Sequence, residues 1–160
     1  MSEKIIIYTD GSSRGNPGPG GYGVLLLFGK HKKELSQGYR LTTNNRMELL
    51  GVIVALESIT NRDYPVVVYT DSKYIVNAVQ LGWLKTWLKT NFKGGKKNPD
   101  LWRRFQAIAQ QLTIEFIWVK GHANNPHNNR CDGLATSAAD GKSLLVDDGY
   151  ENLMSNDSLF

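Results

Sequence analysis

The 160-residue chain is predicted to be an α/β protein built on one mixed sheet, part antiparallel and part parallel, with helices packed on its faces. Three observations carry this reading. The first forty residues hold strand-like runs separated by turn residues, whereas from Thr43 onward helical periods alternate with short apolar runs. Two of the runs, "IIIYTD" at 5–10 and "VVVYTD" at 66–71, end alike. Neither alternates between apolar and polar, so both read as central strands buried on two faces.

Residues 4–10, 22–28 and roughly 33–41 read as the first three strands, with "GKHK" and the glycine-rich loop as hairpin turns. That loop contains Gly18, Gly20 and Gly23 in a G-x-G-x-x-G pattern, but "VLLLF" follows it. A dinucleotide fingerprint needs its glycines to open a helix, and no lysine-bearing phosphate loop occurs elsewhere, so a nucleotide cofactor is not expected. From Thr43 the apolar residues Met47, Leu50, Val54 and Ala55 recur at helical steps through Ile59, and "NRDYP" stops the helix. "PVVVYT" is the fourth strand, and Asp71 or Ser72 can cap a helix running toward Val79. Residues 83–89 and 100–112 read as helices around the loop "KTNFKGGKKNP". "TIEFIWV" is a fifth strand, and a last helix begins near Asn128. Beyond Gly141 no period is sustained, and a loosely ordered acidic tail is expected over 141–160.

The length suits one domain, assigned to 1–140. The net charge of +4 is unevenly spread, because residues 140–160 carry five acids against Lys142. The rest holds 18 basic and 10 acidic residues, an excess of +8 that suits a polyanionic partner. "MSEK" begins no apolar leader, no run is long enough to span a bilayer, and Cys131 stands alone. A soluble, cytoplasmic protein without membrane contact is therefore expected.

If the two "YTD" strands are parallel neighbours joined through the 43–60 helix, Asp10 and Asp71 emerge at one edge about 5 Å apart. Like charges that close disfavour joint ionisation unless a cation intervenes. Carboxylates without a cysteine or histidine cluster suit Mg²⁺ or Mn²⁺ better than zinc. Each acid also has a structural reading. Asp71 can cap a helix, Asp10 can make an Asx turn, Glu48 stands at capping-box spacing from Asn45, and Asp132 can complement a helix dipole.

The segments "YTDGSSRGNPGPGGYG", "TTNNRMELLGVIVALE", "YTDSKYI" and "WVKGHANNPHNNRCDGLA" resemble, in order and separation, the signature segments of the bacterial type 1 ribonuclease H family over about residues 3–140. The resemblance implies a ribonuclease H-like mixed five-stranded sheet, three antiparallel strands followed by parallel ones. It implies a metal-dependent endonuclease that hydrolyses the RNA strand of an RNA/DNA hybrid duplex and leaves 5′-phosphate and 3′-hydroxyl ends. The family's metal ligands fall on Asp10, Glu48, Asp71 and Asp132, holding two Mg²⁺ ions per site with Asp10 as bridge, and its mobile catalytic histidine falls on His122. A monomer is expected. Single-stranded-DNA-binding or replication proteins are partners that no residue pattern here identifies.

Residues 83–104 contain seven basic residues, one acid and three of the four tryptophans. Core tryptophans beside a solvated lysine face would explain them. The resemblance instead implies a basic protrusion gripping nucleic acid, with Trp83, Lys85, Lys89, Lys96 and Lys97 as contacts. It also places Asn16, Asn44 and Asn45 against the minor groove and Thr43 near a phosphate, although Asn44 and Asn45 can equally be capping residues. Three departures stand out: Lys73 replaces a neutral amide, Gly133 replaces a side chain and is expected to loosen the last helix at its start, and the basic segment is short. The competing classes are another phosphoryl-transfer nuclease of the same fold and a non-catalytic hybrid-binding module. The presence of all four acids and His122 argues against the latter.

Overall fold

A computed structural model describes residues 3–95, 98–121 and 125–158, with side chains as far as 154. The chain order is β1 (Ile5–Ser13), β2 (Gly18–Phe28), β3 (His31–Thr42), α1 (Asn44–Glu57), β4 (Val66–Thr70), α2 (Lys73–Gln80), α3 (Trp83–Lys89), α4 (Pro99–Ala109), β5 (Ile114–Trp118), α5 (Pro126–Ala139), β6 (Leu144–Leu145) and α6 (Asp148–Ser158). The sheet order is β5-β4-β1-β2-β3-β6. β1, β2 and β3 form an antiparallel meander, and β4 and β5 extend it from β1 as parallel neighbours. The glycines of the G-x-G-x-x-G pattern lie inside β2, so they open no helix.

β1 and β4 run side by side with Tyr8 opposite Tyr69, which carries Asp10 and Asp71 to the same end of the sheet. The crossover between them is α1, whose Thr43 hydroxyl caps the helix by accepting from the Arg46 amide at 3.3 Å. α1 is buried almost all round, Met47, Leu49, Val52, Ile53 and Leu56 being inaccessible, because β1 and β2 cover one side and α4 another. The aromatic core beside it joins Trp102 to Tyr74, Trp87 and Phe105, with the Trp102 indole donating to the Tyr74 hydroxyl at 2.7 Å. α5 packs against β1, β2 and β3. It comes unusually close, since a Cβ on Gly23 would lie 2.7 Å from the Leu134 Cβ and 2.9 Å from the Ala135 nitrogen.

Among the described residues the sheet has six strands where five are expected: Leu144–Leu145 pairs in parallel with Gly38–Tyr39, a strand too short to show a period. The acidic tail, expected to be loosely ordered, carries this strand and α6. A cation 101 residues away ties it to the body. Asp147 is buried and accepts from Arg46 Nε at 2.8 Å, Arg46 Nη2 at 2.9 Å and the Thr42 hydroxyl at 2.7 Å. The helix expected to begin near Asn128 is α5, which starts at Pro126 behind the Asn125 cap, so Gly133 sits in mid-helix and loosens no helix start.

Candidate active site

At the carboxyl ends of β1 and β4, oxygens of Asp10, Glu48 and Asp71 all lie within 4.8 Å of one another. Strand alternation explains how Asp10 becomes their centre. Asp10 is opposite Gly23 and shares its face, the one on which α5 rests, while the next residue, Gly11, faces α1. A Cβ at Gly11 would fall 2.5 Å from the Glu48 nitrogen, so the absence of a side chain lets α1 settle on the strand and bring Glu48 to Asp10. The end of β1 is thereby held between two helices.

The structural readings of these acids do not hold. Thr43 caps α1, leaving Glu48 in its second turn and Asn44 and Asn45 inside the helix rather than at its cap. Ser72 caps α2 by accepting from the Ile75 amide at 3.3 Å, so Asp71 is not the cap. Asp132 stands well inside α5, beyond the first turn. Asp10 does accept from the Gly11 amide at 2.9 Å, but its carboxyl also meets that of Glu48, so it is more than a turn residue.

The electrostatics are those of like charges gathered in a buried place. Burial, then the charges of Asp71 and Asp132, push Asp10 from its ordinary value of 3.8 up to about 7. Burial, then Asp10 and Asp71, raise Glu48 well above its ordinary range. Among the described residues, Glu48 Oε2 is one of the buried side-chain oxygens with no hydrogen-bond partner. An orphaned carboxylate oxygen in an all-oxygen cluster is a poor structural device and a good ligand for a hard divalent cation. The residues present therefore fit such an ion. Asp132 lies outside the three-acid group, yet its charge reaches Asp10.

The remaining predicted residues divide into two groups and a part outside the described residues. Asn16 and Asn44 meet across the loop mouth, the Asn16 side-chain oxygen accepting from the Asn44 amide at 3.1 Å, with exposed Asn45 beside them. Trp83, Lys85 and Lys89 project from α3, Trp83 being 42% exposed, whereas Trp87 and Trp102 belong to the aromatic core. His122, Lys96 and Lys97 lie outside the described residues. Gly121, the last described residue before His122, packs on Asp71, where a Cβ would come 2.7 Å from Oδ2. Trp118 was not expected at the site. Its Nε1–H donates to the Asp71 carbonyl at 3.0 Å, a contact that nothing in "TIEFIWV" announces.

The model of the RNase H family matches residues 2–140. A Ribonuclease H of Syntrophus aciditrophicus (strain SB) is 51% identical over 92% of this chain and 87% of its own length. One of Trichodesmium erythraeum (strain IMS101) is 51% identical over 94% of this chain and its own full 100%. Among solved structures, LC9-RNase H1, a type 1 RNase H with the type 2 active-site motif, aligns with a TM-score of 0.78 at 31% identity, over 96% of this chain and 81% of that one. LC11-RNase H1 in complex with RNA/DNA hybrid aligns with a TM-score of 0.63 at 32% identity, over 86% of this chain and 97% of that one. With its carboxylates converging at the end of a matching sheet, the chain belongs to the ribonuclease H family of metal-dependent endonucleases.

Proposed function

We propose that this protein hydrolyses the RNA strand of RNA/DNA hybrids, leaving 5′-phosphate and 3′-hydroxyl ends, and that Asp10, Glu48, Asp71 and Asp132 hold two Mg²⁺ or Mn²⁺ ions. The convergence of Asp10, Glu48 and Asp71, with one Glu48 oxygen buried and unpartnered, carries the reading. Ions in such a setting activate an attacking water and stabilise a departing oxygen.

The chain's own residues supply the rest. Asp10 lies between α1 and α5, so Glu48 from the one side and Asp132 from the other would join it in holding ions. Glu48 is fixed by a buried helix, so its carboxylate is aimed before any ion arrives. His122, which follows Gly121 in sequence, carries protons to and from the reacting groups. Asn16, Asn44 and Asn45 offer amide and backbone groups to 2′-hydroxyls in a shallow minor groove, and Thr43 lies near a phosphate. Trp83, Lys85, Lys89, Lys96 and Lys97 grip the backbone of the duplex. The protein acts as a cytoplasmic monomer.

The test is a cleavage assay on RNA/DNA hybrid, duplex RNA and duplex DNA of one sequence, in Mg²⁺ and in Mn²⁺. Cleavage of the RNA strand of the hybrid alone is expected, with an Asp10→Asn variant that binds hybrid and does not cut it. No hybrid cleavage under either metal, or near-normal turnover by the variant, overturns the reading.

A further inference from the structure

The wall of the cluster on the β5 side is made by residues that have no part in the mechanism so far. Trp118 ends β5 opposite Thr70 and is 42% exposed. Its indole N–H reaches the Asp71 carbonyl at 3.0 Å while the Val119 amide reaches the Thr70 carbonyl at 2.9 Å, so β4 is tied twice to β5 just where it delivers its carboxylate. The face of the same indole is occupied: the Lys73 ammonium lies 4.9 Å from the ring centroid. Lys73 is exposed, opens α2 and follows Asp71 by two residues.

A lysine this exposed ordinarily samples many rotamers in water, and holding a charge on it at one place costs entropy. Here the ring bears that ordering in advance. An exposed cation–π contact is weak and leaves the ammonium its hydration and its three donors, so the group can turn to an anion without first breaking a strong bond. Any phosphodiester presented to Asp10, Glu48 and Asp71 brings neighbouring phosphates along the strand, and the Asp71–Lys73 turn flanks their approach. A compact point charge suits that position, because a phosphate bound there fixes the strand and reads no sequence.

We infer that Lys73 binds a phosphate of the nucleic-acid strand entering the carboxylate cluster, and that Trp118 is the positioning residue that holds the ammonium in place. The inference rests on the proposed hybrid substrate and adds a contact made by this chain's own lysine. Lys73 supplies affinity and register; Trp118 acts through it.

Hybrid binding by the Asp10→Asn protein is measured by fluorescence anisotropy across a KCl series, with Lys73→Met, Lys73→Arg, Trp118→Leu and the Lys73→Met/Trp118→Leu pair added. Lys73→Met is expected to weaken binding several-fold and to reduce the slope of log K against log salt by about 0.9, the value for one phosphate contact. Lys73→Arg should restore both. Trp118→Leu should weaken binding less than Lys73→Met and have no further effect when Lys73 is already Met. In the active protein Lys73→Met should raise KM more than it lowers kcat. An unchanged salt slope in Lys73→Met overturns the proposal, and that surface variant decides the matter even if Trp118→Leu folds poorly. Additive losses in the pair remove the role given to Trp118. Wild type that neither binds nor cleaves hybrid refutes the substrate itself, whereas wild type that does both beside an indifferent Lys73→Met refutes only this contact.

Discussion

The nitrogen of Glu48 stands where a side chain on Gly11 would have to be, 2.5 Å from the position of its Cβ, although the two residues are on different elements. The contact sets the separation between β1 and α1 at the place where each carries an acid of the carboxylate cluster. Gly11→Ala must lift the helix or bend the strand, at a cost of about 1–3 kcal/mol by analogy with other overpacked contacts. The expected outcome is a lower Tm together with a loss of Mg²⁺-dependent cleavage larger than the stability loss explains. A variant with wild-type kcat and Mg²⁺ dependence would show that the close approach is not what aims Glu48.

The raised carboxyls make a prediction about stability without metal. Asp10 rises from 3.8 to about 7 and Glu48 rises as well, so between about pH 4 and 7 the folded protein holds protons that the unfolded chain has released. Stability then falls as pH rises through that window. Glu34, Asp100, Asp140 and Glu151 are shifted downward, and their contribution is lost only at lower pH. In EDTA, Tm should decline from pH 5 to pH 7.5. Mg²⁺ should flatten the decline, and Asp10→Asn should stabilise the metal-free protein at pH 7.5 by roughly 1–4 kcal/mol. A metal-free Tm that rises over this range contradicts the assigned shifts.

Arg46 is almost wholly buried and forks to two acids, Asp147 on one side and Asp100 at 2.7 and 2.9 Å on the other. Asp147→Asn leaves a buried guanidinium with a neutral neighbour and should cost about 3–5 kcal/mol in urea unfolding. The paired change Arg46→Met/Asp147→Leu should recover most of that loss, since Asp100 is partly exposed and can turn to water. A single-variant cost below about 1 kcal/mol would mean that the tail is held by something other than this pair.

Gly133 sits on the exposed side of α5 with nothing within 4 Å of the position a Cβ would take. Helical glycine is disfavoured by its backbone entropy, so Gly133→Ala should stabilise the protein by up to about 1 kcal/mol without altering kcat. Thermal unfolding and a hybrid-cleavage assay check both halves. An unchanged or lower Tm would show that α5 needs the glycine for a reason its surroundings do not display.

Much of the candidate site is legible in the sequence. The paired "YTD" runs placed Asp10 and Asp71 at one sheet edge because parallel, fully buried strands have a composition of their own, and the 3.6-residue period supplied the crossover helix. The resemblance added Glu48 and Asp132, whose spacing alone also suited capping. The caps are Thr43, Ser72 and Asn125, which removes the capping role from these acids, and caps one residue apart cannot be told from a string of polar residues.

The sequence by itself determined the class of fold, the strand ends that carry acid, the all-oxygen donor chemistry and the basic bias of the body, because these depend on local period and composition. Tertiary structure decided the rest. That Gly11 and Gly23 seat helices, that Asp147 ties the tail to Arg46, and that Trp118 touches Asp71 and Lys73 are all contacts between distant parts of the chain. A glycine, an acid or a tryptophan looks the same in sequence whether water or a distant segment faces it, and only packing chooses between them.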